Sequence, residues 1–230
     1  MKAAKWNIRA DLGEAEVWLY DEIGENGWGD GIGAKAFIDE LNAVDASTLT
    51  VRINSPGGDV FDGFAMYQAL LRHQARVVVE VDALAASAAS VIAMAGDEIN
   101  MADTSLLMVH DPWTFAIGNS ADLREQADLL DQVAGSIVAA YTRRDGVDAD
   151  TIKSAMAAET WYTATEAREA GLVDNVTEAP ASVAARIPMG RFRNAPTALL
   201  GTTAAPPKPA SARQRIESAR RALQLAGIDK

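Results

Sequence analysis

The sequence predicts an α/β protein with a mainly parallel sheet covered by helices. Two observations predict it. Strand-like EVWLY (16–20) and LTVRIN (49–54) enclose the helical pattern AKAFIDELNAV (34–44), which is the order of a βαβ unit. ARVVVEVD (75–82) is then a β-branched run of the kind buried on both faces of a parallel sheet.

The elements follow in order. NSPGGDVFDGFAMYQAL (54–70) reads as a strand end, a tight glycine turn and a helix start. Phe61, Phe64, Ala65, Tyr67 and Leu70 fall near helical spacing and are expected to bury one face. The small-residue segment 87–95 is expected to be a helix, with short strands near 98–101 and 105–109. The longest helix lies within 119–146. Ser120 is its expected cap, and Leu123, Leu130, Val133, Ile137 and Tyr141 form an apolar stripe. In TATEAREAGLVDNV (163–176), Thr163 and Glu166 have capping-box spacing, Gly171 ends a helix, and a strand is expected over 172–176.

Beyond about residue 180 the texture changes. Pro206, Pro207 and Pro209 mark an extended linker, and SARQRIESARRALQLAG (211–227) reads as a short basic helix. The expected division is a body over 1–180 and a flexible C-terminal tail over 181–230.

The chain of 230 residues is 49% hydrophobic and 23% charged, enough apolar material for a real core. It has no cysteine, which excludes disulfides, thiolate metal sites and a cysteine nucleophile. Only His73 and His110 are available for histidine acid–base work. Residues 1–180 carry 30 acidic and 12 basic side chains, net −18; residues 181–230 carry nine basic and two acidic, net +7. An acidic body argues against a specific nucleic-acid partner. The tail has the charge to touch nucleic acid, an acidic protein surface or the body itself. The first residues contain no signal-peptide apolar run, and the most apolar stretch, 83–96, is too short to span a bilayer. The expected location is the cytoplasm, with no membrane partner.

The glycine turn raises the chemical question. Gly57 and Gly58 can take φ > 0 and leave their amides uncovered, and two N–H groups aimed at one point can make an oxyanion hole. Ser87 lies where DALAASAAS turns from strand to helix, a place of raised positive potential, and its alanine neighbours leave room for a substrate backbone. His110 ends the strand of SLLMVHDP. Ligands of parallel sheets gather at such strand ends. Taken singly, Ser87 reads more readily as a helix-start or packing residue, His110 as a strand-end histidine satisfied by backbone, and SPGG as a plain turn. Together they are a plausible acyl-transfer set.

INSPGGDVFDGFAMYQAL, ALAASAAS, LLMVHDP and ETWYTATEAREAGLVDNV occur in that order over residues 15–178. They resemble the motifs of the proteolytic subunit of Clp proteases. The resemblance implies a ClpP/crotonase-like fold of stacked ββα units with a projecting long helix. It implies a serine endopeptidase with Ser87 as nucleophile, His110 as general base, and the amides of Gly58 and Ala88 as oxyanion hole, Gly57 supporting the turn. It implies Glu159 at the position of the third triad member, where the family has aspartate. It further implies peptide or protein substrates, homo-oligomeric rings that stack in pairs, an ATPase unfoldase partner, and no cofactor or metal.

Three departures stand out: Ala83 where the family often has glycine, Ala88 after the nucleophile where methionine is usual, and HDPW in place of HQP. They resemble the phage and prophage branch, the head maturation proteases, which implies a capsid or scaffold protein as substrate and a host-cell cytoplasmic location.

GDGIGA (29–34) fits a dinucleotide pattern, but the loop from Tyr20 is too long, and Ile53 and Asn54 stand where an acidic residue is needed; a glycine loop at a pore or rim fits better. Lys153 reads as a solvated lysine and not as the base of a Ser–Lys dyad, and His73 as a helix-end surface residue. No cluster has metal-ligand spacing. A catalytically silent scaffold protein and a crotonase-type acyl-CoA enzyme are the alternative functions. Ser87 paired with His110 disfavours the second.

Overall fold

The computed structural model describes residues 6–11, 13–25, 31–179 and 192–196. The described elements are β1 (Trp6–Asp11), β2 (Glu14–Leu19), α1 (Ala34–Leu41), β3 (Thr48–Ser55), α2 (Val60–Arg72), β4 (Arg76–Ala86), α3 (Ala88–Ala93), β5 (Glu98–Ala102), β6 (Leu106–Val109), α4 (Ser120–Tyr141), α5 (Ala149–Ala157), β7 (Thr160–Thr163), α6 (Ala164–Glu169) and β8 (Asn175–Thr177). The sheet runs β1-β2-β3-β4-β5-β8. Its pairs are parallel from β2 to β8, with β1 antiparallel at the edge. This is the α/β architecture that the alternating pattern predicts.

The strand that carries the fold is β4. Val78–Val81 pair with β5, whereas Leu84–Ala86 pair with β6, which in turn pairs antiparallel with β7. One strand therefore belongs first to the main sheet and then to a second ladder. The change coincides with a register shift against β3 between Ile53 and Ser55.

Burial along β4 alternates, and this corrects the expectation of a strand buried on both faces. Val77, Val79 and Val81 are buried, while Val78 and Glu80 are half-buried. The valines join the main core with Phe37, Leu49, Val51 and Leu70. The opposite face carries polar groups. There Arg52 bonds both oxygens of buried Asp82, and the Tyr20 hydroxyl donates to the same carboxylate.

Several boundaries differ from the expectations for local reasons. Helix α4 is capped by Asn119, not Ser120: the Asn119 side chain accepts from Ala121 and Asp122, and Asp122 reciprocates in a capping box. Its stripe is buried only in its C-terminal half, through Val133, Ile137 and Tyr141, and Leu123 is exposed. In α2, which Asp59 caps, Tyr67 and Leu70 are buried but Phe61 is exposed because it lies at the first turn, beyond the edge of the core. The last strand is β8 at 175–177, since Gly171 and Leu172 still close the C-terminus of α6. The expected capping box of Thr163 and Glu166 is present. The expected helix at 211–227 lies outside the described residues.

Candidate active site

Three strand-to-helix or strand-to-loop transitions meet at one place. The first is the turn after β3. Gly57 has φ +82°, and a Cβ there would stand 2.5 Å from the Ala86 carbonyl oxygen and 2.8 Å from the Ser87 Cβ. Gly58 has φ +154°, and a Cβ there would stand 2.0 Å from the Ile23 carbonyl oxygen. Only glycine fits either position. The loop after β2 clamps the turn: the Ile23 amide donates to Gly57 and the Asp59 amide to Ile23, both at 2.9 Å. The buried Ser55 hydroxyl donates to the Asp21 carbonyl at 2.6 Å and accepts the Gly57 amide at 3.1 Å. The Gly58 amide meets no acceptor among the described residues.

The second transition is Ser87, between β4 and α3. Its backbone sits at φ 56°, ψ −126°, a conformation that costs a non-glycine residue about 1–3 kcal/mol and persists only where its surroundings enforce it. Here they do. The Ser87 amide donates to the Met108 carbonyl at 3.0 Å, continuing the pairing of Ala86 with Met108. The Ala88 amide is the first of α3, a position with no intrahelical acceptor.

The third is His110, just past β6. Because β4 exchanges β5 for β6, the ends of these two strands lie side by side. His110 Nε2 is 2.7 Å from Ser87 Oγ. Ser87, Ala88, Gly58 and His110 line one cleft of about 370 Å³, closed on its other side by Leu130 and Val133 of α4. A hydroxyl on a strained turn, an imidazole in bonding contact and two amides on the same cleft are the parts of an acyl-transfer centre.

Glu159 is close by but engaged elsewhere. Its oxygens accept the amides of Asn194 at 2.6 Å and Arg193 at 2.9 Å, and the Trp161 indole at 3.4 Å. Partial burial pushes its carboxyl up, but the Asn194 and Arg193 amides, the Trp161 indole and the charge of His110 outweigh this and hold it below the usual carboxylate range. Phe192 packs edge-on against the rings of His110 and Trp161, with centroids 5.8 and 5.5 Å away. The structure thus brings together Ser87, His110, Gly57, Gly58 and Ala88. It sets Glu159 beside them, with its bonds directed to a returning segment that the sequence presents as linker.

Phe192, Ser55 and Ser90 escape a reading by motif. Ser90 stands one helical turn after Ser87, a spacing that could have marked it. Lys153 pairs with exposed Asp150, and His73 Nδ1 accepts the Ala75 amide at the end of α2. Among the described residues there is no metal-binding cluster, and no helix is long and apolar enough to cross a membrane.

The Clp protease family model matches residues 9–180, three quarters of the chain, including Gly57, Gly58, Ser87, Ala88, His110 and Glu159 but not Phe192, Arg193 or Asn194. The chain belongs to the Clp protease family. It is 33% identical over 128 residues to an ATP-dependent Clp protease proteolytic subunit 1 of Protochlamydia amoebophila, covering 54% of this chain and 62% of that one. The corresponding subunit of Bacteroides fragilis is 29% identical over 139 residues, covering 59% and 67%. Subunit 3 of Streptomyces coelicolor is 32% identical over 147 residues, covering 62% and 67%. The chain thus spans about two thirds or less of these relatives' length.

Proposed function

We propose that this Clp protease family chain is a serine endopeptidase in which Ser87 is the nucleophile and His110 the general base. The observation that carries the reading is the 2.7 Å contact between His110 Nε2 and Ser87 Oγ at a strained strand-to-helix turn. Ser87 donates its proton to Nε2 as Oγ attacks the scissile carbonyl carbon. The carbonyl oxygen takes the negative charge and receives the Gly58 and Ala88 amides. The imidazolium then protonates the departing amine, leaving an ester on Ser87. Water attacks that ester with His110 again taking a proton, and returning this proton to Oγ releases the acid product. Glu159 supports the imidazolium through the field of its carboxylate. Replacing Ser87 by alanine removes one small hydroxyl; peptide cleavage should fall by several orders of magnitude in a protein that stays folded. Full activity in that variant would overturn the reading.

The finer assignment is to the phage and prophage branch, acting on a capsid or scaffold protein in head maturation in the host cytoplasm. It is supported by Ala83, Ala88 and the HDPW sequence, and by a basic tail suited to an acidic protein surface. Rings of this chain, stacked in pairs and served by an ATPase partner for folded substrates, complete the proposal. Trp113, Phe115, Ile117 and Leu123 are exposed, Trp113 packs edge-on against Phe115, and Phe115, Ile117 and Leu123 line one hollow; an apolar surface of this kind is commonly covered by a partner, which supports assembly.

A further inference from the structure

Beneath the Ser87 turn lies a buried pair of hydroxyls that the reaction does not use. Ser90 is fully buried in α3 and Tyr141, at the last position of α4, is 1% exposed. Their oxygens are 2.7 Å apart. Ser90 Oγ also lies 2.6 Å from the Ser87 carbonyl and 2.9 Å from the Met108 carbonyl. Carbonyl oxygens only accept, so the single proton of Ser90 goes to them, and Tyr141 must donate its own proton to Ser90 Oγ. Burial pushes the Tyr141 phenol well above its ordinary value, so it remains a donor.

We propose that Ser90, held by Tyr141, is a positioning residue that aims the Ala88 amide and keeps the Ser87 turn in its strained form. The inference rests on the reading of Ser87 and the Ala88 amide given above. The peptide between Ser87 and Ala88 is planar and trans, so its C=O and N–H point in opposite directions. The Ser87 carbonyl points toward the protein interior, where it accepts the Ser90 and Val91 amides at 2.9 and 3.3 Å and, at the shortest distance, the Ser90 hydroxyl; the Ala88 N–H is thereby turned outward. The same hydroxyl reaches Met108, whose carbonyl also accepts the Ser87 amide and which stands two residues before His110. One side chain therefore ties both peptide planes flanking the nucleophile to the strand that carries the base.

Stability and positioning separate cleanly here. Ser90→Ala alone leaves the Tyr141 hydroxyl buried without an acceptor, which destabilises the protein. Adding Tyr141→Phe removes that stranded group, and loss of both partners can be nearly neutral for stability. The experiment uses the full chain and measures thermal melting, kcat and KM on a small peptide, and the rate at which a fluorophosphonate labels Ser87. The Ser90→Ala/Tyr141→Phe protein should recover most of the melting temperature lost by Ser90→Ala. It should keep a kcat and a labelling rate roughly 10- to 100-fold below wild type, with KM within about twofold, as expected of a misaimed donor. Tyr141→Phe alone should lose less kcat than Ser90→Ala, since Ser90 retains its carbonyl contacts. A double variant with wild-type kcat and labelling rate would overturn the positioning role and leave the serine mechanism standing. Failure of Ser87 to label in the wild-type protein would overturn the serine mechanism itself, and the inference with it.

Discussion

The carboxylate of Glu159 accepts the backbone amide of Asn194 at 2.6 Å, across 35 residues of sequence. The acid that family resemblance assigns to His110 thus holds a length of returning chain while lending the imidazole its charge. Such an acid acts chiefly when the imidazole becomes positive. Glu159→Gln should therefore lower kcat more than KM, with a smaller loss than Ser87→Ala gives. Peptide kinetics check this, and an unchanged kcat would remove Glu159 from the machinery. Its lowered folded-state pKa means that its contribution to stability is complete above the ordinary glutamate value of 4.5 and is lost as pH falls through the folded value.

Phe192, past residue 180, meets the site. Its ring lines the cleft and touches His110 and Trp161. A chain ending after Pro196 should cleave a small peptide at close to the wild-type rate. One ending after Glu178 loses that ring and both amide partners of Glu159, and should cleave several-fold more slowly. Phe192→Ala in the full chain should reproduce part of the loss. Equal rates in all three proteins would make the contact incidental.

Gly58 tests the oxyanion turn. A methyl group there would lie 2.0 Å from the Ile23 carbonyl, a backbone atom that the β2–turn clamp holds in place. Gly58→Ala should move the amide and lower kcat by about 10²-fold or more, the order seen on loss of one oxyanion donor. Retained kcat would mean that another amide serves the oxyanion.

Tyr20 reports on the polar face behind the turn. Burial, then its bond to Asp82, push the phenol from 10.0 up to about 12. A raised folded-state value makes the contribution of this bond to stability complete below about 10 and lost as pH rises through about 12. Difference absorbance of wild type against Tyr20→Phe should show one tyrosine ionising near 12, and Tyr20→Phe should lose the corresponding part of the alkaline fall in melting temperature. Ionisation near 10 would show that the Tyr20–Asp82 bond is not held in solution.

How much of this was legible follows from the kind of signal involved. The cores of β3 and β4 are written in β-branched residues, and the turn at Gly57 and Gly58 in the residue type its backbone requires. The extent of β4 was hidden because Ala83–Ala86 are small residues that suit a strand or a helix start equally. β1 lacks an apolar run, and β7, TWYT, overlaps the capping box that opens α6. Asn119 and Ser120 are both good caps, and only the bond geometry decides between them. Phe192 was illegible for a different reason. Its role comes from a fold-back onto Trp161 and Glu159, and no local pattern in a proline-rich, basic segment encodes such a contact.

Whether His110 activates Ser87 Oγ is read directly from covalent labelling of that oxygen. Wild type, His110→Ala and Ser87→Ala are each exposed to a fluorophosphonate, and the adduct is mapped by peptide mass. The wild type should carry a single adduct on Ser87, His110→Ala should label slower by orders of magnitude, and Ser87→Ala should carry none at that position. An adduct on another residue of the wild type, or equal labelling of Ser87 with and without His110, would contradict that activation.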